Sequence, residues 1–124
     1  MLQDYNPDVI LVSSGFDAAN GDPLGGFTIT PNGYHYLTRQ LMALKKPLLV
    51  ALEGGYNLEA IRNSAYNIIR ALLHEEPEEE HRDYKGELLK EGHIRDLCSL
   101  HPVMHEQMDA VINFHSDFWE CLKR

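Results

Sequence analysis

An α/β fold on a parallel sheet is predicted by three observations. Two short apolar runs, Val9-Ile10-Leu11-Val12 and Leu48 to Leu52, read as strands buried on both faces, the habit of parallel sheets. Each run leads into a glycine-rich loop, and each loop into a stretch with helical periodicity. The order strand, loop, helix, strand, loop, helix is a βαβα unit, in which the crossover between parallel strands is right-handed in nearly all cases.

The elements follow in turn. Met1 to Tyr5 reads as the tail of a helix preceding the first strand. The loop after that strand, "SSGFDAANGDPLGG" over residues 13–26, runs on to about Ile29. Thr30-Pro31 suits an N-cap with proline in the first helical turn. Tyr34, Leu37, Leu41 and Leu44 then share one helical face, and Lys45 and Lys46 suit the C-terminal end. Pro47 restarts the chain before the second strand. Glu53-Gly54-Gly55-Tyr56-Asn57 forms the second loop, and Asn57 caps a helix whose apolar face is Leu58, Ile61, Ala65, Ile68 and Leu72. Residues 74–83 read as an acidic, solvated linker. Residues 84–97 form a short helix or stay irregular. From Pro102 to Leu122, Met104, Met108, Val111, His115, Phe118 and Leu122 make a helical stripe that packs as a core face.

Length and charge narrow the function. A chain of 124 residues fits one domain with one core. A formal net charge of −8 argues against non-specific binding to nucleic acid or to an anionic membrane. Cys98 and Cys121 lack metal-like or CxxC spacing, which suggests a reduced, intracellular protein. The first residues do not form a signal peptide, and no apolar run approaches a membrane span.

Both glycine loops leave the carboxyl ends of neighbouring strands, on the sheet edge where open α/β folds bind ligands. Asp17, one step past the first strand, could bind a metal, orient a histidine or cap a turn. Asp22, in Gly21-Asp22-Pro23, reads as a turn former. Gly54 and Gly55 permit close backbone approach to a ligand. Tyr56 could donate its hydroxyl to a developing oxyanion, or pack in the loop with that hydroxyl in water. Neither loop matches GxGxxG or a P-loop, so a phosphate-binding domain is the weaker alternative. None of the seven histidines forms HExxH, HxH or DxH, and a surface or partner-facing role is expected for each.

"PDVILVSSGFDAANGDPLGG", "YLTRQLMAL" and "LVALEGGYNL", in that order, resemble the C-terminal third of the zinc-dependent histone deacetylase domain, nearest its class II branch. The match covers residues 5–73 strongly. It extends weakly over 84–124, where "HPVMHEQMDAVINFHSDFWECL" is similar to the terminal helix of such domains. The resemblance implies a three-layer αβα arginase/deacetylase-type fold with a mostly parallel sheet. It implies hydrolysis of Nε-acetyl-lysine on a histone tail or another acetylated protein, in the nucleus or cytoplasm. Asp17 falls on a zinc-ligating aspartate, and Tyr56 on the tyrosine that hydrogen-bonds the substrate's amide oxygen. Gly54 and Gly55 fall on glycines lining the acyl-lysine tunnel, and Leu24 at its mouth. Leucine there suits peptide acetyl-lysine; glutamate marks the polyamine-preferring relative.

The family's paired histidines and its Asp-x-His precede the matched region, so Asp17 would be the one zinc ligand present. The expectation is therefore a C-terminal portion of the domain, inactive alone, with weak or no zinc binding. It would need the missing N-terminal part or would self-associate. The competing reading is a non-catalytic interaction module that kept the deacetylase fold.

Overall fold

The computed structural model describes residues 2–77, 102–116 and 118. Helix α1, Leu2–Tyr5, precedes strand β1, Ile10–Ser14. Helix α2, Pro31–Met42, crosses over to strand β2, Leu48–Leu52, and helix α3, Leu58–Leu72, follows. Helix α4 spans Pro102–His115. The strands pair in parallel, Ile10 opposite Leu48 through Ser14 opposite Leu52. This register puts the loops after β1 and β2 side by side at one end of the sheet.

Local chemistry explains the boundaries. Thr30 adopts extended backbone and its hydroxyl accepts from the Gly33 amide at 3.1 Å, while Pro31 opens α2. Asn57 does the same for α3, its Oδ1 accepting from the amides of Glu59 and Ala60. Each cap satisfies donors that a helix start leaves unpaired, a stabilisation of about 1 kcal/mol.

The core lies between one face of the sheet and the two packed helices α2 and α3. Phe16, Ala19, Tyr34, Ala60 and Ile68 are buried there, with Ile29, Val50, Ile61 and Ala65 against them. The Phe16 and Tyr34 rings meet edge to face at 5.1 Å.

Four expectations are corrected. The strands are covered on one face only: Leu11 and Leu49 are 71% and 55% exposed, because the packed helices lie on the side of Ile10, Val12 and Val50. The buried face of α2 is Pro31, Tyr34, His35 and Thr38 rather than the leucine stripe. Leu37 and Leu41 instead line a groove beside the sheet with Val12 and Leu48. In α3 the small residues Ala60, Ser64 and Ala71 are buried, which permits close helix approach, while Leu58 is exposed. On α4, Val111 is exposed, as is Phe118 beyond it, so the stripe expected there is not a core face at those two residues. The readings for residues 78–101 and 119–124 lie outside the described residues.

Candidate functional site

The site begins where the strand ladder ends. Phe16 N–H donates to Gly54 O at 2.7 Å and Glu53 N–H to Ser14 O at 3.2 Å, so the pairing continues one step past the strands. The two loops therefore leave the sheet together. Phe16 goes down into the core at 3% exposure, and Asp17, next in sequence, lies against the other loop. A β-carbon on Gly54 would stand 2.8 Å from Asp17 Oδ2 and 3.7 Å from the Tyr56 hydroxyl oxygen. Carboxylate and phenol thus both approach the side-chain-free face of Gly54, where a β-carbon would displace the carboxylate. Gly55 has φ +135°, and a β-carbon there would stand 2.9 Å from Ile61 Cγ1, so both conformation and space require glycine.

The structure brings together Asp17, Gly54, Gly55 and Tyr56. Leu24 is exposed on the same loop as Asp17, at its rim. Of the readings open for Asp17, capping is removed, and no histidine among the described residues is oriented by it. Asp22 is the turn former: Oδ1 accepts from the amides of Leu24 at 2.8 Å and Gly25 at 3.1 Å. Among the described residues no donor hydrogen-bonds to the Asp17 carboxylate.

Asp22 also does what sequence reasoning missed. Its Oδ2 accepts from Tyr56 N–H at 2.7 Å, across to the second loop. Beside it, Asn57 Nδ2 donates to Gly21 O at 2.8 Å. Asn57 thus caps α3 with one end of its amide and ties the loops with the other. No local pattern signals a bond between residues 34 apart. His35 is a second miss: it is 3% exposed, not on the surface, and its Nε2 lies 2.9 Å from Glu75 O.

Two groups near the site have shifted acidities. Desolvation pushes the Asp22 carboxyl up, but the amides of Leu24, Tyr56 and Gly25 outweigh it and hold it below its ordinary value of 3.8. Tyr34 is pushed up to about 12, by burial first and then by the negative charges of Asp17 and Asp22. Its hydroxyl stays protonated at neutral pH and donates a long bond, 3.5 Å, to Gly15 O beneath the site.

The folded loops lower the Asp22 pKa because they favour its ionised form. The carboxylate's contribution is complete above the ordinary aspartate range and is lost as pH falls through its folded value, below 3.8. Amide resonances of Leu24, Gly25 and Tyr56 are therefore expected to hold steady from neutral pH to pH about 5. They should then move together below 3.8. Movement centred near neutrality would mean that another group holds the loops.

Zinc chemistry needs about three protein ligands. Among the described residues no group of three His, Cys, Asp or Glu side chains is placed to hold a metal. Asp17 supplies a single oxygen donor group at the sheet edge, so the described residues do not by themselves fit a zinc ion as a complete set. No described helix is long and apolar enough to cross a membrane.

Comparison with known proteins gives consistent results. The family described as histone deacetylase domain matches residues 1–72. Histone deacetylase HDA1 of Saccharomyces cerevisiae is 37% identical over 100% of this chain and 16% of its own length. Histone deacetylase 15 of Arabidopsis thaliana is 51% identical over 95% of this chain and 19% of its own. The solved structure of the histone deacetylase Clr3 superposes with a TM-score of 0.78 at 32% identity, covering 98% of this chain and 18% of that one. The chain thus spans less than a fifth of the length of these relatives.

Proposed function

The chain belongs to the histone deacetylase family and is class II-like, and from that premise we propose that its two glycine loops form part of the active site of a zinc-dependent protein lysine deacetylase. The substrate is an Nε-acetyl-lysine side chain on a histone or another protein. Water adds to the amide carbonyl carbon, the C–N bond breaks, the leaving amine takes a proton, and acetate and lysine result. The observation that carries this reading is that the Asp17 carboxylate and the Tyr56 hydroxyl both lie close to Gly54. A metal-binding anion and a neutral hydrogen-bond donor near one side-chain-free stretch of backbone suit a polarised amide.

The roles divide accordingly. Asp17 would contribute one ligand to zinc, and the other ligands would come from outside the described residues. Tyr56 donates to the oxygen on which negative charge builds, and it does so most strongly in the transition state. Gly54 and Gly55 leave room for the acyl group, and Leu24 forms the apolar rim of the lysine channel. With one such ligand among the described residues, the chain by itself is expected to bind zinc weakly and to turn over no substrate.

Leu24 supplies the test. An exposed leucine at the rim offers no charge to a polycation. A complete deacetylase domain carrying these residues is expected to release acetate from acetyl-lysine peptides in preference to acetylated polyamines. Leu24→Glu is expected to move the kcat/KM ratio toward polyamines. Native preference for acetylspermidine would sink the substrate assignment, and absence of zinc-dependent acetate release from either substrate would sink the activity.

A further inference from the structure

Tyr56 follows two glycines, and its own side chain is exposed. Core packing does not fix its ring, and the residues before it carry no side chain that could. A phenol that must meet a reacting oxygen within a fraction of an ångström needs its backbone held from outside. Two bonds do this, and both come from the first loop. Asp22 Oδ2 accepts from the Tyr56 amide at 2.7 Å, and Gly21 O accepts from Asn57 Nδ2 at 2.8 Å. The other oxygen of the same carboxylate holds the amides of Leu24 and Gly25. One side chain therefore grips the backbone at the donor and at the channel rim.

We propose that Asp22 is a positioning residue, whose carboxylate bridges the two loops and thereby sets where the Tyr56 hydroxyl and the Leu24 side chain stand relative to Asp17. The inference rests on the reading of Tyr56 as the transition-state donor. It adds a residue whose carboxylate binds only backbone amides and acts through both loops at once.

The isosteric variant Asp22→Asn separates this role from that of a turn former. An amide has one acceptor oxygen. Facing Leu24 and Gly25, that oxygen keeps the turn, and the NH₂ group then opposes the Tyr56 N–H, donor against donor. In the full 124-residue chain, amide hydrogen exchange at Tyr56 is expected to quicken by about tenfold or more in Asp22→Asn, while Leu24 and Gly25 stay protected. In Asp22→Ala all three are lost. In a complete domain, Asp22→Asn is expected to lower kcat by about 10- to 100-fold with KM little changed, the effect of a misplaced catalytic group. Added to Tyr56→Phe it should cost little more, because the hydroxyl it positions is already gone.

Equal Tyr56 exchange in the wild-type chain and in Asp22→Asn overturns the proposal, as does a double variant whose kinetic losses simply multiply. If Tyr56→Phe alone leaves kcat unchanged while Asp22→Asn still exposes the Tyr56 amide, the bridge stands and the catalytic reading of Tyr56 falls.

Discussion

Tyr56→Phe, in a complete deacetylase domain carrying these residues, is expected to lower kcat by about 10²–10³ with KM little changed. The substitution removes one oxygen atom from an exposed ring, so no core contact is lost. The Tyr56 backbone remains bound to Asp22 and the neighbouring Asn57 still caps α3, because neither bond uses the phenol. Circular dichroism and the urea midpoint should therefore be unaltered. What disappears is a neutral donor aimed at the place where charge develops. An interaction made mainly in the transition state shows in kcat rather than in substrate affinity. Turnover at the wild-type rate would make Tyr56 a loop residue with its hydroxyl in water.

The largest expected effect on stability is at Gly25. A β-carbon there would stand 1.7 Å from the Asp17 carbonyl oxygen and 2.4 Å from its carbon. Both obstructing atoms are backbone, so no rotamer change relieves the overlap. Either the loop opens, carrying Asp17 with it, or the fold is lost. Gly25→Ala is expected to destabilise by about 3 kcal/mol or more, at the upper end of overpacking costs. Gly26→Ala is the matched control. A β-carbon there meets nothing within 4 Å, and only its φ of +68° opposes alanine, a cost of about 1 kcal/mol. Urea denaturation of both variants separates steric overlap from backbone strain. Equal midpoints would show that the loop absorbs the methyl group at Gly25 without displacement.

Much of this was legible in the sequence because it rests on local signals. The β-branched run around Ile10, the proline at the start of α2 and the asparagine before α3 act over a few residues, and the elements begin within one residue or so of where those signals put them. The motif around Asp17 and the one around Tyr56 fell at strand ends, and parallel pairing then brought them to one edge. What stayed hidden depends on third dimensions of the chain. Asp22 has the sequence of a turn and the geometry of a bridge. His35 is polar and sits at a helical position that pattern assigns to the surface, yet it is buried against the carbonyl of Glu75. The leucines of α2 follow a good helical period, but the period cannot say which neighbour is present. Tyr34 packs in the core with Ala60 and Ile68 of α3, whereas Leu37 lines a groove beside the sheet.

The connection from α2 to β2 turns at the end of the sheet remote from the site. Ala43 to Pro47 joins Met42 to Leu48, Lys45 sits at φ +55°, and β2 then runs five residues before reaching Glu53. A strand of that length spans about 17 Å. Neither the Asp22 bridge nor the Asn57 tie draws on this turn. It is thus a natural place to graft a reporter, a purification epitope or a short spacer, because strain introduced there has to travel the length of a paired strand before it can disturb the catalytic edge.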